Sequence, residues 1–310
     1  MLNKRGFREE NVTSQQGKTV LVTGADSGIG FEVSRVMAAN GARVLMASIS
    51  QELAENAMKR IKAIVPSAEL RPIIIDLGDL ESVKAAAKAV LEEPKLDILI
   101  NNAGIMIPPY GKTKDGFESQ FGINHLGHFA LTGLLLEKLF ATPDSRIVTA
   151  CSMVEKFGEF NYDDIHAEKE YKAFDQYAMS KLSNLIFAYE LQRRLDKAGR
   201  KTISVATHPG VAANTNLSQH FSKWFMLLEP VSKRLGLVNT ADSGAWPILC
   251  ASTAEFVKGG DYYGPKRFFQ FAGPAVKVKS GDLSYDLSAA KKLWDMSVEM
   301  TGIDPMQAVA

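Results

Sequence analysis

Thr19-Val20-Leu21-Val22-Thr23, followed without a break by Gly24-Ala25-Asp26-Ser27-Gly28-Ile29-Gly30, is the stretch that decides how this chain folds. β-Branched residues dominate its first five positions and suit a strand. A helical period starts at Ile29 and runs to Asn40. Between the two, Gly24, Gly28 and Gly30 permit a tight turn at little steric cost. A strand that passes over glycines directly into a helix leaves the first N–H groups of that helix without intrahelical acceptors, and an anionic pyrophosphate satisfies them. The stretch predicts a dinucleotide site formed by Gly24, Asp26, Ser27, Gly28, Ile29 and Gly30.

Outward from it, β-branched runs recur at residues 43–47, 70–75, 96–100, 146–150 and 202–207, and segments of helical period lie between them at 51–65, 80–92, 117–140 and 174–198. That alternation predicts an α/β fold, a doubly wound parallel sheet of the Rossmann type. The runs alternate little, as strands buried on both faces must. Gly41 and Pro94 stand where helices stop. The 310 residues allow two domains at about 150 each, yet no second pattern begins. The reading is a single domain, residues 17–310, with an N-terminal arm at 1–16 and an excursion at about 211–240 that covers substrate. That excursion holds Trp224 to Leu228, which suit a lipophilic molecule or plain helical packing.

Composition narrows the function. Lys plus Arg at 36 against Asp plus Glu at 35 leaves a net charge of +1, so no overall field attracts nucleic acid or an anionic membrane. Two cysteines, Cys151 and Cys250, cannot form a disulfide framework and suit a reducing compartment. Residues 1–18 lack a signal-like apolar core, and the longest apolar run, 129–140, contains Glu137 and Lys138 and is too short to span a bilayer. A cytoplasmic protein without a membrane anchor is expected. Nucleotide hydrolysis is disfavoured, because the P-loop-like endings at Gly17-Lys18-Thr19 and Gly111-Lys112-Thr113 have Val12 and Met106 where the leading glycine belongs.

The second strand should end in the residue that reads the adenosine ribose, an acid for NAD or a nearby base for NADP. Ser48, Ile49 and Ser50 stand there. With no carboxylate to repel a 2′-phosphate and hydroxyls to bind it, NADP is favoured over NAD. Asp76 and Leu77, ending the third strand, are placed to meet the adenine, although an Asp there also serves as an ordinary turn residue.

Hydride exchange with a carbonyl needs a proton donor at its oxygen, and a Tyr with a Lys one helical turn later supplies it without a metal. The pattern Tyr-x-x-x-Lys occurs at Tyr110/Lys114, Tyr177/Lys181 and Tyr262/Lys266. The first lies in a Pro- and Gly-flanked loop and the third contains Gly264 and Pro265, so only Tyr177/Lys181 occupies a helix.

These motifs together, with Asn102-Ala103-Gly104 after the fourth strand, Asn124, Ser152 and the Pro209-Gly210 pair, resemble the short-chain dehydrogenase/reductase family from Lys18 to Gly302. The resemblance implies Tyr177 as general acid/base and Lys181 as the residue that lowers its pKa and holds the nicotinamide ribose. It likewise implies that Ser152 bonds the substrate oxygen and that Asn124 supports a water chain to Lys181. Phe121 to Phe129 and Tyr177 to Leu191 are similar to the retinol-dehydrogenase-like branch, which acts on lipophilic alcohols, aldehydes or ketones. The family's nicotinamide-binding Thr is offset, with Asn214 in its usual place and Thr215 one later. A homodimer or homotetramer paired through helices 117–140 and 174–198 is the family-like assembly.

The expected function is an NAD(P)-dependent alcohol dehydrogenase or carbonyl reductase; the alternatives are a non-catalytic dinucleotide sensor and a reductase of a conjugated C=C bond. No metal is expected. His125 and His128 have ligand-like spacing but no third ligand nearby, and Cys151 reads as a small apolar filler.

Overall fold

The computed structural model describes residues 6–211 and 239–307. Eight strands form one sheet in the order β3-β2-β1-β4-β5-β6-β7-β8. They are β1 (Thr19–Thr23), β2 (Arg43–Ser48), β3 (Glu69–Ile74), β4 (Ile98–Asn101), β5 (Arg146–Ala150), β6 (Ile203–Thr207), β7 (Tyr262–Arg267) and β8 (Ala272–Lys277). All neighbours are parallel except β7 and β8. The order reverses between β1 and β4, and the crevice outside the carboxyl ends of strands at such a switch is where open α/β sheets bind ligands.

The helices are α1 (Gly28–Ala39), α2 (Gln51–Ile64), α3 (Leu80–Leu91), α4 (Gly127–Phe140), α5 (Ala173–Lys197), α6 (Ala241–Thr253) and α7 (Leu287–Thr301). Along β1 the side chains divide by parity. Val20 and Val22 pack with Val36 and Met37 of α1 and Ile248 of α6, while Leu21 faces Val83 of α3, Leu135 of α4 and Leu191 of α5. Both faces of the central strands are therefore apolar.

Three features depart from the sequence reading. The segment expected as one helix over 117–140 begins with a short turn, Ser119–Phe121, continues through a widened five-residue π turn, Gly122–Leu126, and only then becomes α4. Beyond the strand runs read from the sequence, which end at 202–207, β7 and β8 extend the same sheet. Gly264 and Pro265 had disguised β7. It touches β6 only at Tyr262 and Tyr263, so on that side Pro265 has no ladder bond to lose. Finally, the expected arm is docked from Gly6 onward: Phe7 is buried and exchanges two 2.8 Å backbone bonds with Ala275, and Arg35 grips Glu9.

Helix α7 lies across α4 and α5. Trp294 packs edge-on against Phe129 at 5.2 Å between centroids, Arg194 lies over the Trp294 ring at 4.1 Å, and Ser297 Oγ meets His125 Nε2 at 2.8 Å. The helices through which family-like pairing was expected thus carry an intramolecular cover. Among the described residues, no helix is long and apolar enough to cross a membrane.

Candidate active site

The glycine-rich turn is held by the loop after β4. Gly24 and Gly28 adopt left-handed backbone, with φ of +65° and +53°. Gly30 is needed for space instead, because a Cβ there would lie 2.1 Å from the Gly24 carbonyl oxygen and 2.6 Å from Asn102 Nδ2. Asn102 Nδ2 donates to the Thr23 carbonyl at 2.8 Å, and the Thr23 hydroxyl accepts from the backbone N–H groups of Asn102 and Ala103 at 2.9 and 3.0 Å. Ala25 N–H donates to the Ala47 carbonyl at 3.1 Å and ties the turn to β2. Ser27 occupies the N-cap position of α1, so the turn delivers the helix N-terminus to the crevice. Gly30→Ala should cost about 1–3 kcal/mol, the usual range for overpacking. A urea midpoint equal to the parent's would show instead that the turn relaxes around the methyl.

Thr23 also anchors a relay to Asn124. Its hydroxyl lies 2.9 Å from His128 Nε2, and His128 Nδ1 lies 2.9 Å from the Asn124 carbonyl. A carbonyl only accepts, so Nδ1 carries the proton and Nε2 accepts from the threonine. Burial pulls His128 down to about 4, which keeps it neutral at physiological pH. Asn124 sits in the widened π turn, an irregularity often found at functional sites. Its side chain pairs with both backbone groups of Ile105, accepting at 2.8 Å and donating at 3.0 Å, and also donates to Ser180 Oγ at 2.9 Å. An Asn that is poor for helix is thereby spent on holding the loop after Gly104. Gly104 admits no side chain there: a Cβ would stand 2.9 Å from Asn124 Oδ1 and 3.2 Å from Lys181 Nζ.

Ser152 follows β5, and its hydroxyl is close enough to the buried Tyr177 phenol to pull it downward. Tyr177 and Lys181 share one face of α5, with the ammonium nitrogen 5.7 Å from the ring centroid. The net effect on the phenol is upward: burial pushes Tyr177 up to about 12, against the pull of Ser152. Burial likewise lowers Lys181 to about 8, leaving it mostly charged at neutral pH. Cys151 is buried and its thiol is pushed up, as an inert filler's would be.

At the ribose end, Ser48 Oγ donates to Asp26 Oδ1 at 2.8 Å, a contact between the turn and the end of β2. Asp76 Oδ1 accepts from Gly78 N–H at 2.8 Å and so shapes the entry to α3, and the Leu77 carbonyl lies where a Cβ on Gly127 would meet it at 2.5 Å. Pro209 and Gly210 follow β6; the Pro209 carbonyl accepts from Asn239 Nδ2 at 2.8 Å. Asn214, Thr215 and Trp224 to Leu228 lie outside the described residues.

Sequence reasoning overlooked His208. It is buried and held neutral, burial lowering it to about 4. Gly210 N–H donates to Nδ1 at 3.2 Å, so Nε2 carries the proton and donates to Gln270 Oε1 at 2.9 Å. Gly264 makes room for this ring, since a Cβ there would be 2.0 Å from Nε2. A hollow of about 540 Å³ is lined by Phe157, Phe160, Met179 and Gln176 together with charged residues such as Asp164 and Lys169, and Ser152, Tyr177 and Lys181 do not line it.

The sequence profile of the short chain dehydrogenase family matches residues 18–225. The chain is a short-chain dehydrogenase. It is 38% identical over 305 residues to "Retinol dehydrogenase 14" of Homo sapiens, covering 93% of this chain and 87% of the relative. A crystal structure of an uncharacterized protein from Mycobacterium paratuberculosis superposes with a TM-score of 0.80 at 35% identity, covering 96% of this chain and 98% of that one. A short chain dehydrogenase from Burkholderia cenocepacia J2315, solved in complex with NADP, superposes with a TM-score of 0.61 at 25% identity over 80% of this chain and 95% of that one. This short-chain dehydrogenase is an NAD(P)-dependent oxidoreductase acting on CH–OH groups.

Proposed function

We propose that this dehydrogenase interconverts a lipophilic alcohol and its aldehyde or ketone, with Tyr177 passing the proton, and that it takes NAD in preference to NADP. The buried Tyr177 phenol, with Lys181 on the same helix face and Ser152 close enough to influence it, carries the first part. The residues fit a nicotinamide dinucleotide, because a Cβ at Gly24 or Gly30 would fill the cradle and the α1 N-terminus favours a pyrophosphate. When bound, the dinucleotide supplies or accepts the hydride. Ser152 orients the substrate oxygen, Tyr177 donates to it in reduction or accepts from it in oxidation, and Lys181 is placed to hold the nicotinamide ribose. Asn124 fixes the loop through Gly104 against which Lys181 rests. A lipophilic substrate is favoured by the similarity to retinol dehydrogenase 14.

The coenzyme preference rests on Asp26. The sequence reading favoured NADP because no carboxylate ends β2; the contact of Asp26 in the glycine turn with Ser48 Oγ at 2.8 Å supports NAD. An acid in that position accepts from ribose hydroxyls and repels a 2′-phosphate. Fluorescence titration should give a dissociation constant for NADH at least about tenfold below that for NADPH, and Asp26→Asn should narrow the ratio. Tighter NADPH binding in the parent would reverse the preference. Nicotinamide absorbance, followed with each coenzyme against a panel of lipophilic aldehydes and ketones, tests the activity; coenzyme binding with no turnover across the panel would favour a sensor.

A further inference from the structure

We propose that Gln120 is a positioning residue of the reaction, with Tyr177 and Lys181 in the roles given above: its buried amide holds the loop after β4 in a strained shape and so fixes one wall of the substrate slot. Gln120 is 0% exposed, on the short turn Ser119–Phe121 just before the π turn. Its partners decide which way the amide lies. The Ile107 backbone N–H only donates and the Ala173 carbonyl only accepts, so Oε1 takes the first at 2.8 Å and Nε2 gives to the second at 2.9 Å. Nε2 also donates to Tyr171 Oη at 3.1 Å, and the Tyr171 hydroxyl donates in turn to the Pro108 carbonyl at 2.8 Å.

One side chain thus joins the loop after β4 to the first turn of α5, where Ala173 stands one helical turn before Tyr177. Asn124, four residues after Gln120, grips the same loop at Ile105. Two buried amides therefore hold alternate residues, 105 and 107, of a segment whose Gly104 lies against Lys181.

What they hold is strained. Ile107 has φ of +52°, left-handed backbone that a β-branched residue keeps only where its surroundings impose it. Glycine would take that shape freely. Strain of this kind gathers where a site must be kept in one geometry. Ile105, Met106 and Ile107 are each half-buried, and none of the three belongs to an apolar core among the described residues. The pinned stretch is therefore an apolar surface beside Lys181, suited to a lipophilic carbonyl compound. Released from Gln120, Ile107 relaxes toward right-handed backbone and the wall moves.

Steady-state reduction of decanal and of propanal, with the coenzyme that the parent binds more tightly, tests this in Gln120→Met. Methionine keeps the length of the side chain and removes all three bonds. The KM for decanal should rise at least about tenfold with kcat nearly unchanged, the mark of binding lost equally from ground and transition states. Propanal, with little apolar surface to bury, should lose less than about threefold in kcat/KM, and coenzyme affinity should hold. A general loosening of the fold would move both aldehydes and the coenzyme together. In an Ile107→Gly background the left-handed shape costs nothing, so there Gln120→Met should raise the decanal KM by less than about threefold. An active parent whose Gln120→Met variant keeps its decanal KM, an equal loss on both aldehydes, or the full loss in the glycine background would each overturn the positioning role. A parent inactive on both aldehydes would overturn the catalytic reading and this role with it.

Discussion

Replacing Tyr177 with phenylalanine should lower turnover by about 10²–10⁴-fold, the range for loss of a general acid/base, while coenzyme still binds. The substitution removes one oxygen and keeps the ring, which is buried. The phenol, pushed up to about 12, is protonated at neutral pH and ready to give its proton to a carbonyl oxygen. Oxidation needs the phenolate and should accelerate as pH rises, whereas reduction should not. Steady-state rates in both directions, with a separate coenzyme titration, make the comparison; near-normal turnover of the phenylalanine variant would remove Tyr177 from the chemistry.

The second large effect is a gain. Lys181→Met should abolish most turnover and yet stabilise the protein, because a buried ammonium is exchanged for an apolar chain of similar length. Burial lowers Lys181 from 10.5 to about 8, which corresponds to about 3 kcal/mol of folding free energy while the group is charged. Below pH 8 the lysine is protonated both folded and unfolded, and the fold bears the whole penalty. Across the window from about 8 to 10.5 the folded lysine is neutral while the unfolded one still binds a proton, so the penalty fades, and above it nothing remains. Urea midpoints of parent and variant should therefore differ at pH 7 and converge at higher pH. Comparing the two proteins at each pH cancels the buried tyrosines, which also titrate in the alkaline range. A methionine variant less stable at pH 7, or a gain independent of pH, would contradict burial as the cause.

What was legible in the sequence is what local geometry enforces. The glycine turn announces itself because Gly24 and Gly28 need left-handed backbone and Gly30 needs the absence of a side chain. Tyr177 and Lys181 announce themselves because four residues make nearly one helical turn. Contacts between distant segments left no such trace. Thr23, His128 and Asn124 form a relay across 105 positions, and no spacing rule links them. Asp26 reaches Ser48 only because β1 and β2 are neighbours, and that contact supports the proposed preference for NAD. β7 was hidden by its Gly and Pro, which are harmful in a central strand and harmless where the neighbouring ladder has already ended. The π turn around Asn124 was read as ordinary helix, since a single widened turn barely disturbs the apolar period.

Helix α7, lying over α4 and α5, acts as a partner on a tether. A segment in the same chain is present at an effective concentration that no free copy reaches at ordinary protein levels. Trp294 meets Phe129 and Phe187 from within the same chain. The packing of α7 on α4 and α5 therefore forms within one chain at any dilution of the protein.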